Sequence, residues 1–216
     1  MGKKKRLLSA LVAFAFVMGM VGVPALGGSK NAAVLSKWGS ILSGYADKTQ
    51  TLSEGDLYAT GNSITVTKQE IEQATDFFMQ TSDDYDTARA KAIDSAMKRE
   101  ALYAAAIEHG YTVTDEEIWA YLEDLKELMS KAANKDDVQA VIDAFPSEDD
   151  YWAYEYTVYQ KNLPIEKYAN DLRKAYYEQL ANSGADEDYS LLWKDYYNQF
   201  QEQLVQEQEF QVVEQE

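Results

Sequence analysis

The sequence predicts a mainly α-helical protein with a very small β-sheet. Apolar residues recur at the spacing of amphipathic helices over most of the chain beyond residue 67. Two Thr-x-x-Glu capping boxes, at 67–70 and 114–117, mark helix N-termini. Residues that favour strands are confined to short runs at 57–66 and 210–213. Together these three observations indicate a helical domain with one small hairpin.

The chain before the first capping box is predicted to hold one short helix and this hairpin. Residues 31–45 place five apolar side chains on one helical face, namely Val34, Leu35, Trp38, Ile41 and Leu42. We assign residues 28–55 as a linker that contains this short helix. A Gly-Asn pair at 61–62 lies between two runs that favour strands, which indicates a hairpin turn.

The remaining chain is predicted to form six helices connected by polar breaks. Their approximate bounds are 67–80, 85–109, 114–133, 136–144, 147–181 and 187–209. Gly110 suits the position that follows a helix C-terminus, and Pro164 is expected to kink or break the fifth helix near Asn162. The tail at 210–213 is expected to return to the hairpin as a strand that closes the small sheet.

The first 27 residues have the pattern of an export signal. A basic cluster at 3–6 precedes an uncharged, mostly apolar run from Leu7 to Leu26, and small residues follow. Ala25 and Gly27 stand in a small-x-small arrangement, which predicts cleavage after Gly27. The alternative is an uncleaved anchor, since the apolar run is long enough to span a bilayer. Either outcome predicts a protein that acts outside the cytoplasm.

Composition and charge exclude several function classes. The formal charge is −17, and because the first 27 residues hold four of the 20 basic residues and no acidic one, the rest carries −21. Such a surface repels nucleic acid. The chain has no Cys and one His, His109, which excludes thiol chemistry and a multi-histidine metal site. Without a phosphate loop or a dinucleotide fingerprint, no cofactor, metal or catalytic residue is assigned.

Aromatic residues are the most informative feature of the composition. The chain has 16 Tyr and four Trp, with dense runs at 151–159 and 189–200. In the first run the aromatic residues occupy two faces of one helix, which is more than a single core contact requires. Either both faces are buried between several helices, or one lines a groove for extended or unfolded peptide. The residues predicted to contact such a peptide are Trp119, Tyr121, Trp152, Tyr156 and Tyr159.

The order of these segments resembles a known family. Leu-Tyr-Ala-Thr-Gly-Asn-Ser-Ile-Thr at 57–65 leads into a capped helix, and a long helix then closes with Glu-His-Gly-Tyr-Thr-Val-Thr-Asp-Glu-Glu-Ile at 108–118. A later helix at 148–163 carries Tyr-Trp-Ala-Tyr. This arrangement is similar to the N-terminal chaperone domain of the SurA/PrsA/trigger-factor-like family of extracytoplasmic foldases. The resemblance covers about 56–180, and Gly-Asn at 61–62 departs from the family's Asn-Gly.

The resemblance implies a SurA-like helical chaperone domain over 56–216 without the family's parvulin domain. Only 36 residues follow Leu180, and a single histidine cannot supply the paired histidines of a parvulin site. The implied function is non-enzymatic binding of unfolded or nascent exported polypeptides. The alternatives are an assembly module for one envelope partner and a peptidyl-prolyl isomerase. An uncleaved segment at 7–26 would tether the protein to the membrane, and the oligomeric state stays open.

Overall fold

The structure, a computed structural model, describes residues 32–46, 53–132, 135–183 and 188–213. Within these ranges the chain forms seven α-helices and three short strands. In chain order they are α1 (Ala32–Ala46), β1 (Leu57–Thr60), β2 (Thr65–Thr67), α2 (Lys68–Phe78), α3 (Tyr85–Glu108), α4 (Asp115–Ser130), α5 (Lys135–Ile142), α6 (Glu148–Ser183), α7 (Tyr189–Gln208) and β3 (Gln211–Val212). The predicted export signal at 1–27 lies outside the described residues. No described helix is long and apolar enough to cross a bilayer.

The predicted fold class is confirmed as a mainly helical architecture with a small three-stranded antiparallel sheet. Both capping boxes are present. The Thr67 and Thr114 side chains accept a hydrogen bond from the backbone amide three residues later. The Glu70 and Glu117 carboxylates in turn accept from the backbone amides of Thr67 and Thr114. Gly110 follows α3 with a positive φ of 84°, which any residue with a Cβ adopts only under strain.

The sheet has the order β2-β1-β3 and is tied to the end of α7. Ala59 lies opposite Val66 on one side and Val212 on the other. The hairpin loop also caps α7, because the Asn62 amide donates to the Gln208 carbonyl (2.8 Å) and its side-chain Nδ2 donates to the Glu207 carbonyl (2.9 Å). The β1–β2 hairpin and the C-terminal end of α7 therefore stabilise each other.

Helix α1 forms at Ala32–Ala46, where the short helix within 28–55 was expected, and it belongs to the main hydrophobic core. Leu35, Trp38 and Leu42 are buried in the same cluster as residues of α2, α4, α5 and α6. The Trp38 ring meets the edge of the Phe77 ring at a centroid distance of 6.5 Å. An amphipathic helix buries its apolar face wherever a complementary surface exists, which a local pattern cannot reveal.

Helix α6 runs without interruption through Pro164, so the predicted break near Asn162 is wrong. A proline removes one helical hydrogen bond and crowds the preceding turn. Here Asn162, Leu163 and Pro164 are all buried. Packing on this central turn outweighs the local cost, as tertiary contacts commonly override helix propensity.

Two glycines of α1 offer a matched test of its packing. A Cβ at Gly39 would lie 2.6 Å from the Val141 carbonyl oxygen and 2.7 Å from the Ala144 Cβ, whereas a Cβ at Gly44 would meet nothing within 4 Å. We expect Gly39→Ala to lower the free energy of unfolding by about 2 kcal/mol through overpacking. Gly44→Ala should raise it by up to about 1 kcal/mol through helix propensity. Urea denaturation measures both, and equal effects of the two variants would contradict the docking of α1.

Candidate functional site

The surface around Trp119 is formed by α4 and the first half of α6. The Thr114 capping box starts α4 at Asp115, and Ile118, Leu122, Leu125 and Met129 form its buried face. Because Trp119 follows Ile118, it lies about 100° further around the helix. Its side chain is consequently turned away from the core and is 43% exposed.

Trp119 and Tyr156 form a stacked pair at this surface. Their ring centroids are 4.8 Å apart with an interplanar angle of 20°. The Tyr156 hydroxyl donates to Asp115 Oδ1 at 2.6 Å, which fixes the ring against the start of α4 and raises the pKa of Tyr156. The structure thus brings together two of the five predicted contact residues, and we call them the Trp119–Tyr156 pair.

Acidic residues border the Trp119–Tyr156 pair. Asp115 and Glu116 are exposed in the first turn of α4, where the helix dipole favours negative charge. Neither forms an ion pair within the part of the chain that the structure describes. The next residue differs, because Glu117 is paired with Lys167 Nζ at 3.0 Å.

Trp152 and Tyr159, also predicted as peptide contacts, lie in the core and form no part of this surface. Trp152 is 4% exposed and Tyr159 is fully buried. The Trp152 indole nitrogen donates to Glu148 (3.1 Å), and Lys126 Nζ covers its ring at 4.8 Å from the centroid. The alternative that the aromatic residues of α6 are buried between several helices therefore holds for these two side chains.

Tyr121 occupies a position between the core and the surface. It is partly buried, and its ring centroid is 4.9 Å from that of Tyr159. Its hydroxyl donates to Glu166 (3.3 Å), and burial together with that carboxylate raises its pKa to about 12. Tyr121 therefore links α4 to α6 through its hydroxyl group and is only partly accessible to solvent.

A second aromatic surface joins α6 to α7, and the sequence-based selection of contact residues missed it. Tyr176 stacks on Tyr196 with centroids 4.4 Å apart, and Tyr177 meets Trp193 edge-on at 6.5 Å. We define the aromatic ladder as Tyr176, Tyr177, Trp193, Tyr196 and Phe200. Its signal in the sequence is the adjacent pair Tyr176-Tyr177, which has meaning only once α7 is known to pack against it.

The aromatic ladder lies on a two-helix arm with little surrounding structure. The arm comprises residues 170–183 of α6 and 189–200 of α7. Among the described residues of α6, none beyond Tyr168 is fully buried, and α7 buries only Leu204. Acidic and basic residues are equal in number in each half of the arm. Its rings are therefore partly buried, on a charge-balanced surface of an otherwise strongly acidic protein.

A buried cluster of four charges ties α2, α3 and α6 together. Lys161 Nζ lies 3.1 Å from Glu70 Oε1 and 2.8 Å from Glu100 Oε2, and Arg99 Nη1 lies 3.6 Å and 3.5 Å from the same two carboxylates. Burial raises the pKa of Glu100, and the Glu70 charge adds to this effect. Burial opposes ionisation of Glu70 as well, but Lys161 and Arg99 outweigh it and lower its pKa. Glu100 is fully buried, so we assign the cluster to folding rather than to chemistry.

Glu155 is a second buried carboxyl group, and it lies among aromatic rings of the core. No basic side chain of the described chain pairs with it, and neither carboxyl oxygen accepts a hydrogen bond of good geometry there. Burial raises its pKa to about 8, and the nearby Tyr151 hydroxyl offsets part of this shift. Glu155 is thus expected to be protonated in the folded protein at neutral pH.

His109 and the acidic residues, the remaining candidates from the sequence, show no arrangement for chemistry among the described residues. His109 ends α3, where its Nδ1 lies 2.9 Å from the Ala105 carbonyl and its ring stacks on Tyr168 at 5.0 Å. Within the described ranges, no group of three or more His, Cys, Asp or Glu side chains is arranged to hold a metal ion.

Comparison with known proteins returns no match. No family model matches the sequence, no curated protein matches it, and no solved structure matches its fold. The resemblance to the SurA/PrsA family therefore stays a prediction from the quoted motifs.

Proposed function

We propose that this protein is an extracytoplasmic, chaperone-like protein that binds unfolded or partly folded exported polypeptides and catalyses no reaction on them. The observation that carries the proposal is the Trp119–Tyr156 pair, in which Trp119 is 43% exposed and Tyr156 is partly buried. Large rings offer contact area at a low cost in conformational entropy, and they tolerate varied partners. The proposed SurA-like identity includes a C-terminal strand that closes the sheet, and the pairing of β3 with β1 supports it.

The surface charge supports binding of unfolded chains rather than one rigid partner. A chain of formal charge −17 stays soluble with a bound aggregation-prone client. The partly accessible aromatic ladder offers a second contact region for the same polypeptide. Two weak sites on one client raise the overall affinity without either binding tightly.

Suppression of aggregation tests this proposal. We expect the protein at equimolar ratio to keep a denatured model substrate soluble, and Trp119→Ala to require about tenfold more protein for the same effect. Light scattering measures the outcome, and circular dichroism confirms that the variant folds. Leu128→Ala is the matched control, because Leu128 is a similarly exposed apolar residue of the same helix. No suppression by the unmodified protein would refute the chaperone-like function.

The two-helix arm favours a second candidate, an assembly module for one envelope partner. The cores of dedicated interfaces are enriched in aromatic residues and depleted in charged ones. The arm matches this pattern in its aromatic rings, and it carries no net charge that would repel a partner. A single stoichiometric complex that is lost on Trp193→Ser and kept on Trp119→Ala would favour this candidate. The third alternative, a prolyl isomerase, predicts measurable proline isomerisation, and we expect that assay to be blank.

A further inference from the structure

We propose that the Trp119–Tyr156 pair binds a lysine or arginine side chain of the client polypeptide. This inference rests on the proposed function and names the chemistry of the client segment. The exposed aromatic face supplies the contact for the cation, and the acidic border supplies the attraction. The client segment would be extended and basic, with its aliphatic carbons on the rings.

The cation-binding geometry already occurs elsewhere in the molecule. Three aromatic rings each carry a cation of the chain itself within 6 Å of the centroid, the distance at which a cation is attracted to a ring. These pairs are Lys126 over Trp152 (4.8 Å), Arg89 over Tyr58 (5.7 Å) and Lys161 over Tyr103 (5.7 Å). Among the described residues, no lysine or arginine lies over Trp119 or Tyr156. Trp119 thus combines an exposed ring with the absence of a covering cation from the described residues.

The acidic border makes a basic side chain the favoured occupant. Glu116 stands one helical turn before Trp119, on the same side of α4, and Asp115 holds the Tyr156 hydroxyl. Neither carboxylate is neutralised by a described basic residue. A cation over the rings would therefore meet two carboxylates within one turn of helix. An acidic segment would be repelled, and a neutral apolar segment would gain the ring contact alone.

The net charge of the protein acts in the same direction at longer range. A formal charge of −17 attracts basic segments and speeds their encounter at low salt. The attraction weakens as salt rises, because the Debye length falls to about 8 Å at physiological ionic strength. Binding of a basic segment at this surface should therefore weaken with salt more than binding of a neutral one.

Fluorescence anisotropy with three labelled peptides and the full chain tests the inference. The peptides share the same apolar flanks and differ only at three central positions, which are all lysine, all norleucine or all glutamate. Norleucine keeps the aliphatic stem of lysine and removes its charge. We expect the lysine peptide to bind most tightly, and Trp119→Leu to weaken it roughly 2- to 30-fold while changing the norleucine peptide little. Glu116→Gln should weaken only the lysine peptide, and Glu123→Gln on the same helix is the control, because Glu123 is already paired with Lys126.

The outcomes separate this inference from the proposed function. Equal affinity for the lysine and norleucine peptides, or equal losses for both on Trp119→Leu, would overturn the cation site and leave an apolar chaperone surface. Loss of concentration-dependent self-association on Trp119→Leu, with peptide binding unchanged, would also overturn it by making a second copy the occupant. Binding of none of the peptides, together with no suppression of aggregation, would overturn both proposals.

Discussion

Replacement of Lys161 by Met is expected to lower the free energy of unfolding by about 3 kcal/mol, because it leaves Glu100 buried with reduced compensation. Lys161 Nζ is 2.8 Å from Glu100 Oε2, and Glu100 is fully buried between α3 and α6. Arg99 remains nearby but makes a longer contact of 3.5 Å with the other oxygen. Thermal unfolding should show the loss as a fall in Tm of roughly 6–12 °C.

Lys167→Met provides a matched control on the same helix. Lys167 pairs with Glu117 at 3.0 Å, and the two lysine side chains are similarly exposed, at 36% and 33%. The Glu117 side chain is 50% exposed, however, whereas that of Glu100 is fully buried. A pair with an exposed carboxylate contributes about 0–1 kcal/mol. Adding Glu100→Gln to Lys161→Met should recover part of the loss, because the unpaired carboxyl group is then removed. Equal losses for Lys161→Met and Lys167→Met would contradict the buried cluster.

Glu155→Gln is expected to raise the free energy of unfolding at pH 8 by about 3 kcal/mol. This figure already subtracts the cost of burying the glutamine side-chain amide without a hydrogen-bond partner. The folded protein holds the Glu155 proton up to a pKa of about 8, whereas the unfolded chain releases it near the ordinary value of 4.5. The contribution of Glu155 to the free energy of unfolding is therefore fully present below pH 4.5, and it is lost as the pH rises to about 8. Gln has the same shape and no proton to lose.

The pH dependence distinguishes this effect from a simple change in packing. The stability difference between Glu155→Gln and the unmodified protein should grow by up to about 1.4 kcal/mol per pH unit across that interval. Urea denaturation at pH 5, 6, 7 and 8 measures it. Glu178→Gln, at an exposed position of the same helix, should show no such trend. A difference that stays constant from pH 5 to 8 would show that Glu155 is ionised in the folded state.

The two buried carboxyl groups also bear on the candidate surface. Tyr156 follows Glu155 directly in α6, and Lys161 lies little more than one turn further along the helix. The position of Tyr156 against Trp119 therefore depends on how α6 packs in the core. Variants at the buried positions should be compared for stability before any loss of client binding is assigned to the surface.

Local signals in the sequence predicted the helix starts closely. A capping box requires only four consecutive residues, so Thr67 and Thr114 mark α2 and α4 without knowledge of the rest of the fold. Gly110 ends α3 for a similarly local reason, namely its positive φ. The hairpin at 57–66 follows from its Gly-Asn turn and the residues that flank it. These features depend on neighbours in the chain.

The candidate site was predictable only in part. Trp119 and Tyr156 were identified as contacts, but so were Trp152 and Tyr159, which the core encloses. Spacing along α6 shows that its aromatic residues occupy two faces, but it cannot show how many helices cover each face. The pairing of Glu100 with Lys161 was equally hidden, because the two residues lie 61 positions apart in the chain.

Helix starts, the helical class and the acidic, cysteine-free composition can all be read from the amino-acid sequence, because they depend on adjacent residues or on sums over the chain. Three features require knowledge of packing, namely that α1 joins the core, that α6 continues through Pro164, and that Trp119 is exposed while Trp152 is buried. Burial is a property of packing between elements far apart in the chain. The same amphipathic pattern can face solvent or protein, and the neighbouring helices decide which.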